Sequence, residues 1–157
     1  MMWPRVLVPA ALVVVSCGTT FIKGTSVPDT AQNRVIVDLV EKFRVAVEKR
    51  DVDTLKEMIS RRYFTQAGTT SEASDDYGWE QLEQKVLPLL HDNVKNVMYQ
   101  VFVRKVEVDE GKAYAEVEHS YKFYYVDGGK DRWSAKSDLM RLEFAWEGGV
   151  WRIVGGL

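Results

Sequence analysis

The chain has 157 residues, the size of one domain with a sizeable core. Its apolar fraction of 46% and charged fraction of 28% are those of an ordinary globular protein. A formal net charge of −2 with no basic stripe excludes a nucleic-acid surface, and the single cysteine excludes an internal disulfide and a cysteine-rich metal site.

In chain order, Met1 to Arg5 is a short start with one positive charge, and Val6 to Val15 is apolar. That run is too short to span a bilayer as a stable helix and fits the apolar core of a secretory signal. Val14-Val15-Ser16-Cys17-Gly18 closes it. This leader resembles the bacterial lipobox, an aliphatic and a small residue before the cysteine that is acylated. The resemblance implies a signal peptide over 1–16, with Cys17 as the mature N-terminus carrying acyl chains such as palmitate. Several chains hold a protein on a membrane where one does not. Gly18 rather than Asp after the cysteine implies, by the same resemblance, outer-membrane placement facing the periplasm. The alternative is a plain secretory signal with an incidental cysteine. Residues 17–28 are rich in Thr, Ser and Gly and read as a flexible tether before a domain over 29–157.

Asp29 or Thr30 is placed to cap a helix. Ile36, Leu39, Val40, Phe43, Ala46 and Val47 then recur at helical spacing. Asp51 caps a shorter helix with Val52, Leu55, Met58 and Ile59 inward. Thr65 to Asp76 is a polar loop, and a third helix starts near Ser74 to Asp76 with Trp79, Leu82, Val86, Leu87 and Leu90 on one side. Pro88 kinks or ends it.

Val94 to Val108 reads as a strand. Its apolar phase changes parity between Val103 and Val106, which predicts a β-bulge near Arg104-Lys105. Two hairpins follow. Ala113 to Val126 alternates with period two, and Gly128-Gly129 supplies a tight turn. That turn sets Val117 opposite Met140, Ala115 opposite Leu142, Ala113 opposite Phe144 and Glu116 opposite Arg141. A one-residue slip would put Arg141 on the apolar face. Gly148-Gly149 sets Trp146 opposite Trp151 and Phe144 opposite Ile153, all four expected close and buried.

Three helices followed by four antiparallel strands, with Phe43 to Asp51, Leu55, Tyr63-Phe64 and the closing Trp146 to Ile153, resemble the nuclear-transport-factor-2-like superfamily. The resemblance covers about residues 30 to 157 and rests on structural motifs. It implies an α+β fold: a cone-shaped, curved antiparallel sheet of about four strands, covered on its concave face by three N-terminal helices. That fold hosts enzymes, binding modules and partner proteins alike.

In such proteins the pocket lies between the helices and the concave face. The hairpin register puts His119 opposite Asp138 on that face, with Tyr121 and Phe123 further along. A carboxylate on one imidazole nitrogen leaves the other as a general base, the role such pairs serve in dehydratase members. The plain alternative is two polar groups satisfying each other. Phe43, Tyr63, Trp79, Tyr121 and Phe123 are candidate pocket-lining residues, with core packing as the alternative for the aromatics. Phe43 stands where a ketosteroid-isomerase-like site would need a tyrosine. His91 and His119 lack metal-ligand spacing, and no cofactor motif is visible. The leading expectation is a lipid-anchored envelope protein, held to the membrane through Cys17, that binds a small apolar ligand or a protein partner, a second copy included, without catalysis. The alternatives are a dehydratase- or isomerase-type enzyme using His119 and Asp138, and a structural adaptor in an envelope assembly.

Overall fold

The computed structural model describes residues 18–65 and 77–157. The expected signal peptide 1–16, Cys17 and the expected start of the third helix at Ser74 to Asp76 lie outside them. Helix α1 (Ala31–Lys49) begins where the Thr30 hydroxyl accepts from the Asn33 N–H at 3.1 Å, satisfying one orphan donor of the first turn. Its buried stripe is Ile36, Val40, Phe43, Ala46 and Val47. It stops at Arg50, a non-glycine residue in the left-handed region with φ of 55°. That conformation costs roughly 1–2 kcal/mol. The Arg50 guanidinium offsets it by donating to the Val94 carbonyl at 2.5 Å. Asp51 then caps α2 (Val52–Met58), accepting from the Thr54 N–H at 3.0 Å.

Short strands β1 (Phe64–Thr65) and β2 (Tyr77–Gly78) pair with each other. The third helical stretch is built from α3 (Trp79–Gln81), a π-helical turn (Leu82–Val86) and α4 (Leu87–Asp92). The kink expected from Pro88 is thus a widened turn just before it. Proline has no N–H, and its ring crowds the carbonyl four residues back; the Leu87 N–H instead reaches Leu82, five residues back. The extra residue rotates Val86 outward to 43% exposure, against its expected inward position, while Leu87 is buried.

Strands β3 (Val94–Asp109), β4 (Lys112–Asp127), β5 (Lys130–Glu147) and β6 (Val150–Gly155) form one antiparallel sheet in that order. Every pairing derived from the two Gly-Gly turns is present, including Val117 with Met140, Glu116 with Arg141, His119 with Asp138 and Phe144 with Ile153. Gly128 and Gly129 both have positive φ, 55° and 75°, as a turn matched to strand twist requires. On β3, Val103 faces Val117 and Lys105 faces Glu116, leaving Arg104 as the expected bulge residue. The core joins α1 and α2 to the concave face, with Ile36, Leu55, Ile59, Val117, Leu142 and Ile153 almost fully enclosed.

At the far edge, α2 runs into β6. Ile59 bridges Ile153, the Ser60 N–H donates to the Ile153 carbonyl at 2.8 Å, and the buried Ser60 hydroxyl donates to the Glu147 carboxylate at 2.9 Å. Arg62 closes the cluster on Glu147 at 2.5 Å.

Two expectations need correction. Trp146 pairs with Trp151 in register, ring centroids 5.4 Å apart, but it is 52% exposed and Trp151 is only partly buried, because the N-terminal end of α1 leaves a groove open beside them. The segment expected to be a tether is folded from Thr20 to Pro28. Phe21 bridges Pro28, the Asp29 N–H donates to Thr20, the Ser26 N–H donates to Val103 at the bulge, and Val27 has 0% exposure. Phe144→Ala is expected to cost about 3–5 kcal/mol, as for other large core aromatics. Val27→Ala should cost roughly 2 kcal/mol, although a tether residue would cost nothing measurable. Urea unfolding of the purified protein measures both.

Candidate functional site

One file of rings runs along the concave face. Phe43 on α1 meets Tyr99 on β3 edge-on at 6.2 Å, and Tyr99 meets His119 on β4 at 5.9 Å. His119 lies 6.0 Å from Tyr121, and Tyr121 lies 4.7 Å from Phe123. Period-two alternation on β4 sets the last three on one face, and the helical stripe of α1 supplies the first. Phe43 and Tyr99 are buried, whereas His119, Tyr121 and Phe123 are partly exposed where the β4–β5 hairpin runs past the helices.

Tyr99 and His119 of this file line an open groove of about 840 Å³ with Glu41, Arg44 and Glu48 of α1 and Asp138 of β5, which also reaches Phe102 and Leu139 at the sheet's outer side; Phe43, Tyr121 and Phe123 are not in its lining. Glu48 accepts from the Tyr99 N–H at 3.1 Å, and Arg44 donates to Glu48 at 2.5 Å and to Glu41 at 2.7 Å. Arg44 also reaches the Tyr99 carbonyl at 3.4 Å. Tyr99 is therefore held through its backbone by α1. Its hydroxyl stands 3.3 Å from His119 Nδ1 and 3.8 Å from Met140 Sδ. Burial pushes the phenol's pKa well up, so it stays a neutral donor. When it donates to Nδ1, the imidazole proton sits on Nε2.

His119 and Asp138 are cross-strand neighbours, as the register required, yet no direct hydrogen bond joins them among the described residues. Lys136, two residues before Asp138 on the same face, takes the carboxylate at 2.6 Å, and the Leu139 N–H donates to its other oxygen at 2.9 Å. Those partners, Lys136 first, hold the Asp138 carboxyl below the usual range. Burial lowers the His119 pKa below its ordinary value; the Asp138 charge opposes this, and Lys136 adds to it. The expected dyad is therefore a Tyr99–His119 contact beside a Lys136–Asp138 ion pair.

The other expected pocket residues lie elsewhere. Tyr63 is buried against Tyr77 at 5.9 Å, and its hydroxyl bonds the backbone of Leu157. Trp79 is buried under the Arg61 guanidinium at 5.2 Å, its indole N–H without a partner among the described residues. His91 is exposed and its ring nitrogen meets the carboxylate of its neighbour Asp92 at 2.7 Å. Tyr99, Arg44 and Glu48 were not singled out from sequence. Tyr99 continues the apolar phase of its strand, and nothing in the spacing of Arg44 and Glu48 marks them apart from other charges on α1.

The outer sheet face, turned away from the helices, carries Met98, Phe102, Tyr124, Trp133 and Leu139, all exposed, with Trp133 at 63%. The Lys122 ammonium lies over the Trp133 ring at 5.3 Å.

No protein-family model matches the chain, and no curated protein matches it in sequence. Solved structures do match. A candidate scytalone dehydratase from Novosphingobium aromaticivorans aligns with a TM-score of 0.65 at 9% identity, over 80% of each chain. A nuclear transport factor 2-like superfamily protein from Salmonella enterica serovar Typhimurium gives 0.62 at 15% identity, over 80% of this chain and 90% of that one. A hexachlorocyclohexane dehydrochlorinase gives 0.59 at 16% identity, over 80% of this chain and 82% of that one. The chain has the nuclear transport factor 2-like α+β fold, with helices over a curved four-stranded antiparallel sheet. Identities this low establish the fold alone.

Folded His119 binds its proton more weakly than the unfolded chain does. Its contribution to stability is present in full above the ordinary value of 6.5 and is lost as pH falls through the lower folded midpoint. An NMR titration should place the His119 midpoint below 6.5, and His119→Gln should flatten the pH dependence of unfolding in that window.

Proposed function

We propose that this chain is a lipid-anchored, envelope-facing binding domain that engages a protein partner and does not catalyse. The observation that carries the reading is the distribution of apolar surface. The space between helices and sheet is filled by core side chains, whereas five large apolar side chains stand in solvent on the outer sheet face. Exposed apolar clusters of that kind mark protein contacts. A small apolar ligand needs a site that covers most of its surface. The groove at His119 is open, and Arg44, Glu48 and Asp138 bring charge into its lining beside Phe102 and Leu139, which disfavours the small-ligand branch. Anchoring rests on the Val14-Val15-Ser16-Cys17 leader.

Cys17→Ala should release the chain from the membrane fraction and remove the mass of the acyl groups. Trp133→Ser with Leu139→Ser should abolish association with a second copy or with a partner cross-linked in intact cells, without lowering the unfolding temperature. A monomer that forms no cross-link and carries a bound small molecule in its native mass spectrum would overturn the protein-partner reading.

A second reading, a dehydratase- or isomerase-type enzyme, is favoured by a neutral His119 facing the groove beside Tyr99 and Tyr121. Two of the solved structures of this fold are described as a dehydratase and a dehydrochlorinase. Under that reading Tyr99→Phe would impair turnover as well as His119→Gln, because Tyr99 and not Asp138 contacts the ring.

A further inference from the structure

We infer that the end of the domain bearing Trp146, Trp151, Val35 and Phe21 faces the bilayer and rests in its headgroup layer. The inference builds on the acylated Cys17 proposed above and adds the orientation of the domain on the membrane.

Chain length carries the argument. Because residues 20–28 are folded onto the domain, the tether is not twelve residues long. Thr20 lies against Asp29, just before α1 begins. Three residue steps separate Cys17 from Thr20, at most about 11 Å of extended chain. A headgroup layer is itself roughly 5–8 Å deep. Acyl chains on Cys17 in the hydrocarbon core therefore hold the N-terminal end of α1 at the membrane surface.

That same end presents uncovered apolar side chains. Ala31 and Val35 of α1, Val108 of β3 and both paired tryptophans line a surface groove of about 720 Å³. Val35 is 45% exposed and Phe21, bridged to Pro28 beside the helix start, is 58% exposed. Tryptophan is suited to this position, since its ring is apolar and its N–H is polar. Asp109 and Glu110 line the groove too, and both are exposed. Carboxylates do not enter hydrocarbon, so they limit the contact to the headgroup level. Tyr124 and Trp133 of the outer-face patch lie on the β4–β5 hairpin, which leads away from the α1 N-terminus, and this part of the patch stays free for a partner.

The test uses the full chain, processed in cells and reconstituted in vesicles of phosphatidylethanolamine and phosphatidylglycerol with brominated acyl chains, which quench nearby tryptophan. A Trp133→Phe background removes the other exposed indole, and Trp79 is buried. Tryptophan emission should be quenched in this background, and adding Trp146→Phe should remove the larger part of the quenching. Phe21→Ser with Val35→Ser, which leaves the tryptophan pair intact, should reduce quenching while the protein stays in the vesicle fraction. An acylated chain whose quenching is unchanged by Trp146→Phe, or is lost only with Trp133→Phe, overturns the orientation and leaves the anchor standing. A mass spectrum without acyl groups on Cys17 overturns the anchor, and the orientation with it.

Discussion

The structure depends on how the free edge of β3 is closed. A long edge strand exposes a row of backbone donors and acceptors that invites pairing with another chain. Here the outward groups are taken one after another. Arg50 serves the Val94 carbonyl, Glu48 and Arg44 serve the N–H and carbonyl of Tyr99, and the Ser26 N–H serves the Val103 carbonyl where the bulge begins. Two of these groups come from α1 and a third from the residue that ends it, so satisfying the edge also fixes α1 along β3. That placement sets Phe43 against Tyr99 and Tyr99 against His119. The aromatic file follows from an edge that had to be covered.

The groove's chemistry follows from competition for partners. A carboxylate beside an imidazole on neighbouring strands has the spacing for a dyad, but the carboxylate goes to the group that offers the larger gain. Lys136 shares the face, carries a full charge and reaches Asp138 at 2.6 Å, whereas His119 is held neutral by burial. A neutral ring gains little from a carboxylate already committed to an ammonium. His119 turns to the phenol of Tyr99, which loses less on burial than an ion does. Hydrogen bonding and ion pairing are thus divided between two adjacent pairs.

The sheet was legible in the sequence because each hairpin has its own pin. Two Gly-Gly turns fix the registers, and a change of parity in the apolar phase marks the bulge at Arg104. Such patterns are local, and alternation carries them. The burial of Val27 was not legible, since one apolar residue in a polar run has no period to announce it. The exposure of Trp146 was hidden for the opposite reason: strand phase gives the face a side chain points to, not whether anything covers that face. Val86 misled because the π-helical turn before Pro88 inserts a residue into a spacing that otherwise counts correctly. Asp138 misled because register names a neighbour and leaves open which neighbour wins.

The joint between α2 and β6 bears on the order in which the molecule assembles. Ile59 and Ser60 find their partners in Ile153 and Glu147, from opposite ends of the domain. While a nascent chain lacks its last strand, Ile59 and the Ser60 N–H lack their partner Ile153. The α1–β3 pairing can form earlier, but the tie between the end of α2 and the sheet edge must wait for the final segment. Contacts between distant parts of a chain slow folding, because loop entropy is lost before the contact is gained. The last strand therefore acts as the latch of the domain, and a chain interrupted before Val150 would retain most of its sheet while leaving the end of α2 without its tie to the sheet edge.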